Sequence, residues 1–188
     1  MHVGVLAVQG DFEKHIKAVR KCQPKAQITE VRTPEQMDGL THLIIPGGES
    51  TTVGLLLERY GLGEAIQNAA KAGLPIWGTC MGMIMMASSV AGRDQYSLNL
   101  LDITVERNAF GAQVHSFEEE MQITGLHEPL MAVFIRAPIV TEVGEEVEVL
   151  ATINDKVVAV RQGNRLGTSF HPELTDDTRL HEWFLSWS

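Results

Sequence analysis

Cys80 sits in the run Leu74-Pro75-Ile76-Trp77-Gly78-Thr79-Cys80-Met81-Gly82, which reads as an apolar strand, a Gly-x-Cys-x-Gly turn and the start of a Met-rich helix. With serine at its centre this spacing is a nucleophile elbow, in which glycines permit a sharp strand-to-helix turn and leave the central side chain on strained backbone. Cysteine in that place is a nucleophile for acyl chemistry. The helix N-terminus favours an anion there, and the N–H of Met81 is free to donate to an oxyanion. The competing reading is a buried core thiol. Cys22, near the end of residues 11–22, has no flanking glycines and reads as structural.

A thiol nucleophile needs a base, and the base needs a group that orients it. Seven histidines compete for the part. His171 stands apart in Phe170-His171-Pro172-Glu173, because residues two apart on extended backbone point the same way and Pro172 keeps His171 out of the helical region. Glu173 is then the orienting carboxylate. Any single His-x-Glu is weak evidence, and its weight comes from the partnership with Cys80.

Pro46-Gly47-Gly48-Glu49-Ser50-Thr51 is a second Gly-rich turn between a strand and a helix. It lacks the Lys-Ser/Thr pair and the spacer of a phosphate loop, and Glu49 would repel a phosphate. A Gly47-Gly48 turn can instead bring a second backbone N–H to the nucleophile, with Ser50 or Thr51 capping the helix that follows.

These turns need strands to carry them. Residues 3–8, 27–32, 42–46 and 74–78 read as strands, and 11–22, 51–70 (weakened by Gly61 and Gly63) and 81–91 as helices. That alternation predicts an α/β fold with a mostly parallel central sheet and helices on both faces, its ligand site beyond the carboxyl ends of the strands. In the second half, 102–107, 131–137, 147–153, 157–162 and 166–170 read as strands and 175–187 as a closing helix, which predicts antiparallel additions. No repeat or linker divides the chain, so one domain over 1–188 is expected.

The formal net charge of −9, with no basic run, excludes a nucleic-acid partner. No apolar run approaches the ~20 residues needed to span a bilayer, so no membrane association is expected. Two cysteines in unrelated surroundings suit a reducing compartment, and the cytoplasm is the expected location. No metal and no cofactor is called for.

The three motifs around Gly47-Gly48, Cys80 and His171, in this order, resemble the signatures of class I (triad) glutamine amidotransferases, whose three-layer, flavodoxin-like fold the chain is then expected to share. Within that superfamily the chain is most similar to the glutaminase subunits of pyridoxal 5′-phosphate synthase. Further marks are Leu6-Ala7-Val8-Gln9-Gly10, Val105-Glu106-Arg107-Asn108-Ala109-Phe110-Gly111, Ser116-Phe117-Glu118 and Phe134-Ile135-Arg136-Ala137-Pro138, so the likeness runs from about residue 3 to residue 185. It departs from the family at Met81-Gly82-Met83, at Ala112 and at His115, the last two in a stretch that bears on partner contacts.

The resemblance implies hydrolysis of L-glutamine to glutamate and ammonia by Cys80, His171 and Glu173, with the ammonia passed to a (β/α)8-barrel synthase subunit in a hetero-oligomer. It further implies oxyanion or substrate contacts from Gly47, Gly48, Glu49, Met81, Arg107, Ile135 and Arg136, with Glu49 facing the α-ammonium and the two arginines the carboxylate. Gln9 is implied as a gate coupled to the partner. Another class I amidotransferase, such as the histidine-pathway enzyme, and a non-catalytic glutamine-binding or redox-sensing module remain as alternatives.

Overall fold

The apolar runs at 42–45 and 76–79 become strands in which every side chain is buried, and their alternate residues enter two different cores. In the computed structural model, which describes residues 1–111 and 115–188, β1 (His2–Leu6), β2 (Gln27–Val31), β3 (His42–Ile45) and β4 (Ile76–Thr79) pair in parallel in the order β2-β1-β3-β4. Leu43, Ile45 and Ile76 face one core, together with Val53 and Leu57 of α2 (Ser50–Arg59), Leu62 and Ile66 of α3 (Leu62–Lys71) and the methionines of α4 (Met81–Met86). Ile44 and Trp77 face the other. There they meet Ile16 and Val19 of α1 (Phe12–Cys22) and Leu180 and Phe184 of α5 (Arg179–Leu185). The sheet is therefore covered on both faces, as expected of parallel strands that are apolar on both sides.

The sheet continues through the second half of the chain. β12 (Arg165–Thr168) lies parallel to β4, and β11 (Lys156–Gln162) turns antiparallel against it. Next come β9 (Ile139–Val143), β6 (Leu101–Glu106) and β5 (Ala87–Val90), with β10 (Glu148–Ile153) paired to β11. A separate hairpin, β7 (Ser116–Met121) with β8 (Leu130–Ile135), packs Phe134 into the core beside α1 and α5. The antiparallel additions fall in the half where the sequence places them.

Several boundaries differ from the sequence reading. The helix expected over 51–70 is two, because Gly61 takes a left-handed φ of 70° and starts α3 afresh. The helix expected over 81–91 stops at Met86; Ala87–Val90 pairs with β6 instead, with Ser88 Oγ donating to the carbonyl of Ile103. Strands β7 and β9 are absent from the sequence reading. The closing helix is shorter than 175–187 and is preceded by a 3-10 turn at Pro172–Leu174. Ala112 lies outside the described residues, whereas His115 is exposed and its carbonyl accepts the N–H of Arg136.

Candidate active site

Four parallel strands adjacent in space, β1, β3, β4 and β12, end at the same edge of the sheet, and each end carries part of one constellation. Cys80 follows β4 with φ 51° and ψ −107°, a conformation that side chains rarely adopt and that elbows impose. The flanking glycines answer to close approach: a Cβ on Gly78 would collide with the backbone of Gly82, and one on Gly82 with the carbonyl of Ile45 at the end of β3. The turn is anchored by the Cys80 N–H, which donates to the Thr168 carbonyl of β12 at 2.7 Å. Cys80 Sγ lies 3.9 Å from the carbonyl oxygen of Ile135, at the end of β8. Met81 is the first residue of α4, so its N–H has no acceptor within the helix.

The Gly47-Gly48 turn after β3 packs against both Cys80 and His171. A Cβ on Gly47 would stand 2.7 Å from His171 Cε1 and 3.7 Å from Cys80 Cβ; one on Gly48 would stand 2.7 Å from Gln9 Oε1. Gln9, on the loop after β1, accepts the Glu49 N–H at 2.8 Å, and the Gly47 carbonyl is pressed so closely on Gly10 that no Cβ would fit there. Gln9, the glycine turn, Cys80, Met81 and His171 are thus brought to one place.

His171 Nδ1 donates to Glu173 Oε1 at 2.7 Å. Extended backbone is not what joins the pair: His171 has φ −111° and ψ 84°, and Pro172 opens the 3-10 turn that swings Glu173 back under the imidazole. The His171 N–H donates to the carbonyl of Val133 on β8, which ties this segment to the hairpin. Burial alone would lower the His171 pKa. The neighbouring Cys80 side chain and the bond to Glu173 outweigh it and raise the value to about 10, the sense expected of an imidazolium held by a buried carboxylate. Glu173 is itself buried, which pushes its carboxyl up, yet the facing His15 ring and the bond from His171 bring it below its usual range.

The charged residues are arranged differently from the expectation. Glu49 is the N-cap of α2, in place of Ser50 or Thr51; its carboxylate accepts from the N–H groups of Thr51 and Thr52, at 3.0 and 2.8 Å, and its pKa falls to about 2. Its Oε1 lies 3.7 Å from Arg107 Nη2, and Arg107 Nη1 is buried without a partner among the described residues. Arg136 is exposed on backbone of φ 45°, directly after Ile135. Cys22 lies away from the constellation, its Sγ 3.6 Å from the Val19 carbonyl.

Behind Glu173 lies a layer that the sequence reading missed: His15 of α1, Thr79 of β4 and His181 of α5, all fully buried. The available signal was a histidine on the apolar stripe of α1, between Lys14 and Ile16.

A thiol on a strained strand-to-helix turn, an imidazole packed against the same glycine turn and a buried carboxylate bonded to the imidazole, at the carboxyl edge of a three-layer α/β sheet, form the arrangement of a cysteine-nucleophile hydrolase. Among the described residues no group of three or more His, Cys, Asp and Glu is gathered as a metal site would need. The chain belongs to the SNO glutamine amidotransferase family, whose model matches residues 5–187. It is 52% identical over 186 residues to the pyridoxal 5′-phosphate synthase subunit PdxT of Geobacillus kaustophilus, covering 99% of this chain and 94% of that one. The same subunit of Pelotomaculum thermopropionicum is also 52% identical over 186 residues, covering 98% and 94%. A crystallised glutamine amidotransferase superposes with a TM-score of 0.92 at 48% identity, covering 97% of this chain and 96% of its own.

Proposed function

We propose that this chain, as one glutaminase unit over residues 1–188, hydrolyses L-glutamine to L-glutamate and ammonia and hands the ammonia to a pyridoxal 5′-phosphate synthase partner. Family membership and relatives that carry the name of that synthase's subunit support the substrate and the partner. The observation that carries the chemistry is Cys80 on its left-handed turn, gathered against the Gly47 turn with a His171 that is itself bonded to Glu173.

Cys80 thiolate attacks the side-chain amide carbon of glutamine. The oxyanion that forms meets N–H groups of Met81 and of the Gly47-Gly48 turn. His171, its proton held in place by the thiolate and the carboxylate, gives that proton to the departing nitrogen, and ammonia leaves a γ-glutamyl thioester on Cys80. The imidazole, now a base, takes a proton from water; the hydroxide equivalent attacks the thioester, and glutamate and the thiolate–imidazolium pair are regenerated. Glu173 holds the imidazole in the tautomer with its hydrogen on Nδ1 throughout.

Arg107 and Arg136 serve the glutamine carboxylate. Glu49, positioned by the N–H groups of α2 as an anion, serves the α-ammonium. Gln9 gates the site, since its side chain and Gly10 together fix the orientation of the Gly47-Gly48 peptide. We assign the partner a (β/α)8-barrel fold and the complex to the cytoplasm. The test is ammonia release by the subunit with and without its synthase, alongside Cys80→Ala and Cys22→Ala. Cys80→Ala should release none and Cys22→Ala should match the parent. Turnover by Cys80→Ala near the parent rate would overturn the covalent route.

A further inference from the structure

We propose that His15 is a positioning residue for the site: its Nε2–H holds the rear oxygen of the Glu173 carboxylate, and His181 fixes the tautomer of His15 that makes this possible. The proposal rests on the reading of Glu173 as the carboxylate behind the base.

Glu173 Oε1 is taken by His171. Its other oxygen, Oε2, is buried with no aligned hydrogen bond, and His15 Nε2 faces it at 3.3 Å. A buried carboxylate oxygen without a donor is costly, so the identity of that facing nitrogen matters. Two further contacts surround it. His15 Nε2 is 3.1 Å from Thr79 Oγ1, and His15 Nδ1 is 3.1 Å from His181 Nε2. His181 Nδ1 is buried with no partner among the described residues.

Proton counting gives one consistent arrangement. An ionised carboxylate only accepts, so the His15 nitrogen that serves it carries hydrogen. Burial holds His15 below its usual pKa and His181 down at about 3, so both rings are neutral. A neutral His15 with Nε2–H has a bare Nδ1, which then needs a donor, and the nitrogen against it is His181 Nε2. That leaves His181 Nδ1 bare, and this is the atom found without a partner. The series ends on a lone pair, where the opposite tautomers would end on an orphaned buried N–H and turn a second lone pair toward Glu173.

The rings cannot easily turn away. Trp77 meets His15 edge-on at 5.9 Å between centroids and His181 at 4.8 Å, while its own N–H is spent on Thr168 Oγ1 at 3.0 Å. The groups that set the charge here are few. His171 and His15 face Glu173, and Asp11 and His181 flank His15. Lys14, Lys17 and Lys21 of α1 line an outer groove that Glu173 also borders. Without the His15 donor, Glu173 takes up a proton at higher pH and then releases His171.

The experiment uses the subunit with its synthase and compares His15→Phe, His15→Gln and His181→Phe. His15→Phe should lower kcat about tenfold to a hundredfold with KM unchanged, the size of a hydrogen bond to a charged group. It should also move the acid limb of the kcat profile to higher pH. His15→Gln, which restores an N–H near the same place, should bring the limb back, and His181→Phe should shift it in the same direction by less. Imidazole nitrogen NMR of the parent should show His15 as the neutral Nε2–H tautomer. An Nδ1–H tautomer there, or a His15→Phe enzyme whose acid limb stays in place, would overturn the proposal. Should His15→Phe fail to fold, the NMR tautomer and the His181→Phe profile decide it. Labelling of Cys80 by an electrophilic glutamine analogue reports separately on the covalent reading: labelled parent with an unmoved pH limb rejects only the role of His15.

Discussion

The closest test of the site's construction is a single methyl group on Gly47. Its φ is not in the left-handed region, so alanine is conformationally acceptable there, and the whole effect of Gly47→Ala is steric. The new Cβ would stand 2.7 Å from His171 Cε1, whereas carbon atoms pack at about 3.5–4.0 Å, so the ring and the turn must separate by roughly an ångström. The ring cannot absorb this freely because Glu173 holds its Nδ1 at 2.7 Å; the imidazole tilts away from Cys80 or the turn lifts off the oxyanion site. Displacement of a reacting group by about 1 Å costs about a hundredfold, or about 2.7 kcal/mol of transition-state stabilisation. The expectation is therefore a kcat of about one-hundredth of the parent, with KM for glutamine little changed. The assay is ammonia release in the presence of the synthase, paired with thermal unfolding to show that the sheet is intact. A Gly47→Ala enzyme within threefold of the parent kcat would refute the claim that this turn and His171 are packed against each other during catalysis.

Replacing His171 with Asn should collapse kcat by several orders of magnitude, and Glu173→Gln should reduce it less, since an orienting group contributes less than the group that moves the proton; steady-state kinetics at saturating glutamine check this order. Truncating Arg107 or Arg136 should cost about tenfold to a hundredfold in kcat/KM for glutamine and much less for an analogue with a blocked α-carboxylate, measured as a substrate comparison. The raised His171 pKa makes stability depend on pH. A base whose folded pKa lies above its unfolded 6.5 stabilises fully below that value and loses the contribution as pH climbs towards about 10. Unfolding temperatures between pH 6.5 and 10 should thus decline more steeply for the parent than for His171→Asn, and parallel curves would remove the linkage.

The strand-to-helix elbow was legible because its information is local: Gly78, Cys80 and Gly82 are within five residues, and the collisions that demand glycine arise inside the same turn and its neighbouring strand. His171 and Glu173 were legible as a pair for the same reason, although a 3-10 turn and not an extended strand brings them together. Non-local features were harder to read. Ser88 and Ser89 look like the tail of a methionine-rich helix until β6 offers them partners, and Glu118, Glu119 and Glu120 look like a solvated loop until β8 pairs with them residue for residue. Glu49 was read as a group free for substrate, and its service as a helix cap depends on where α2 begins. His15 and His181 are 166 residues apart, and no spacing rule joins them.

The strand order has a consequence for how the molecule comes into being. β12 lies between β4 and β11 in the middle of the sheet, and it carries His171 and Glu173 just beyond its end. During synthesis, Cys80 and its glycine turns leave the ribosome long before His171 and Glu173 do, and the sheet lacks this central strand until residue 168 has emerged. Pairings so distant along the chain form late in folding. A nascent chain therefore carries Cys80 without His171 and Glu173 beside it, and on the proposed mechanism hydrolytic competence arrives at once, when the last strand slots in.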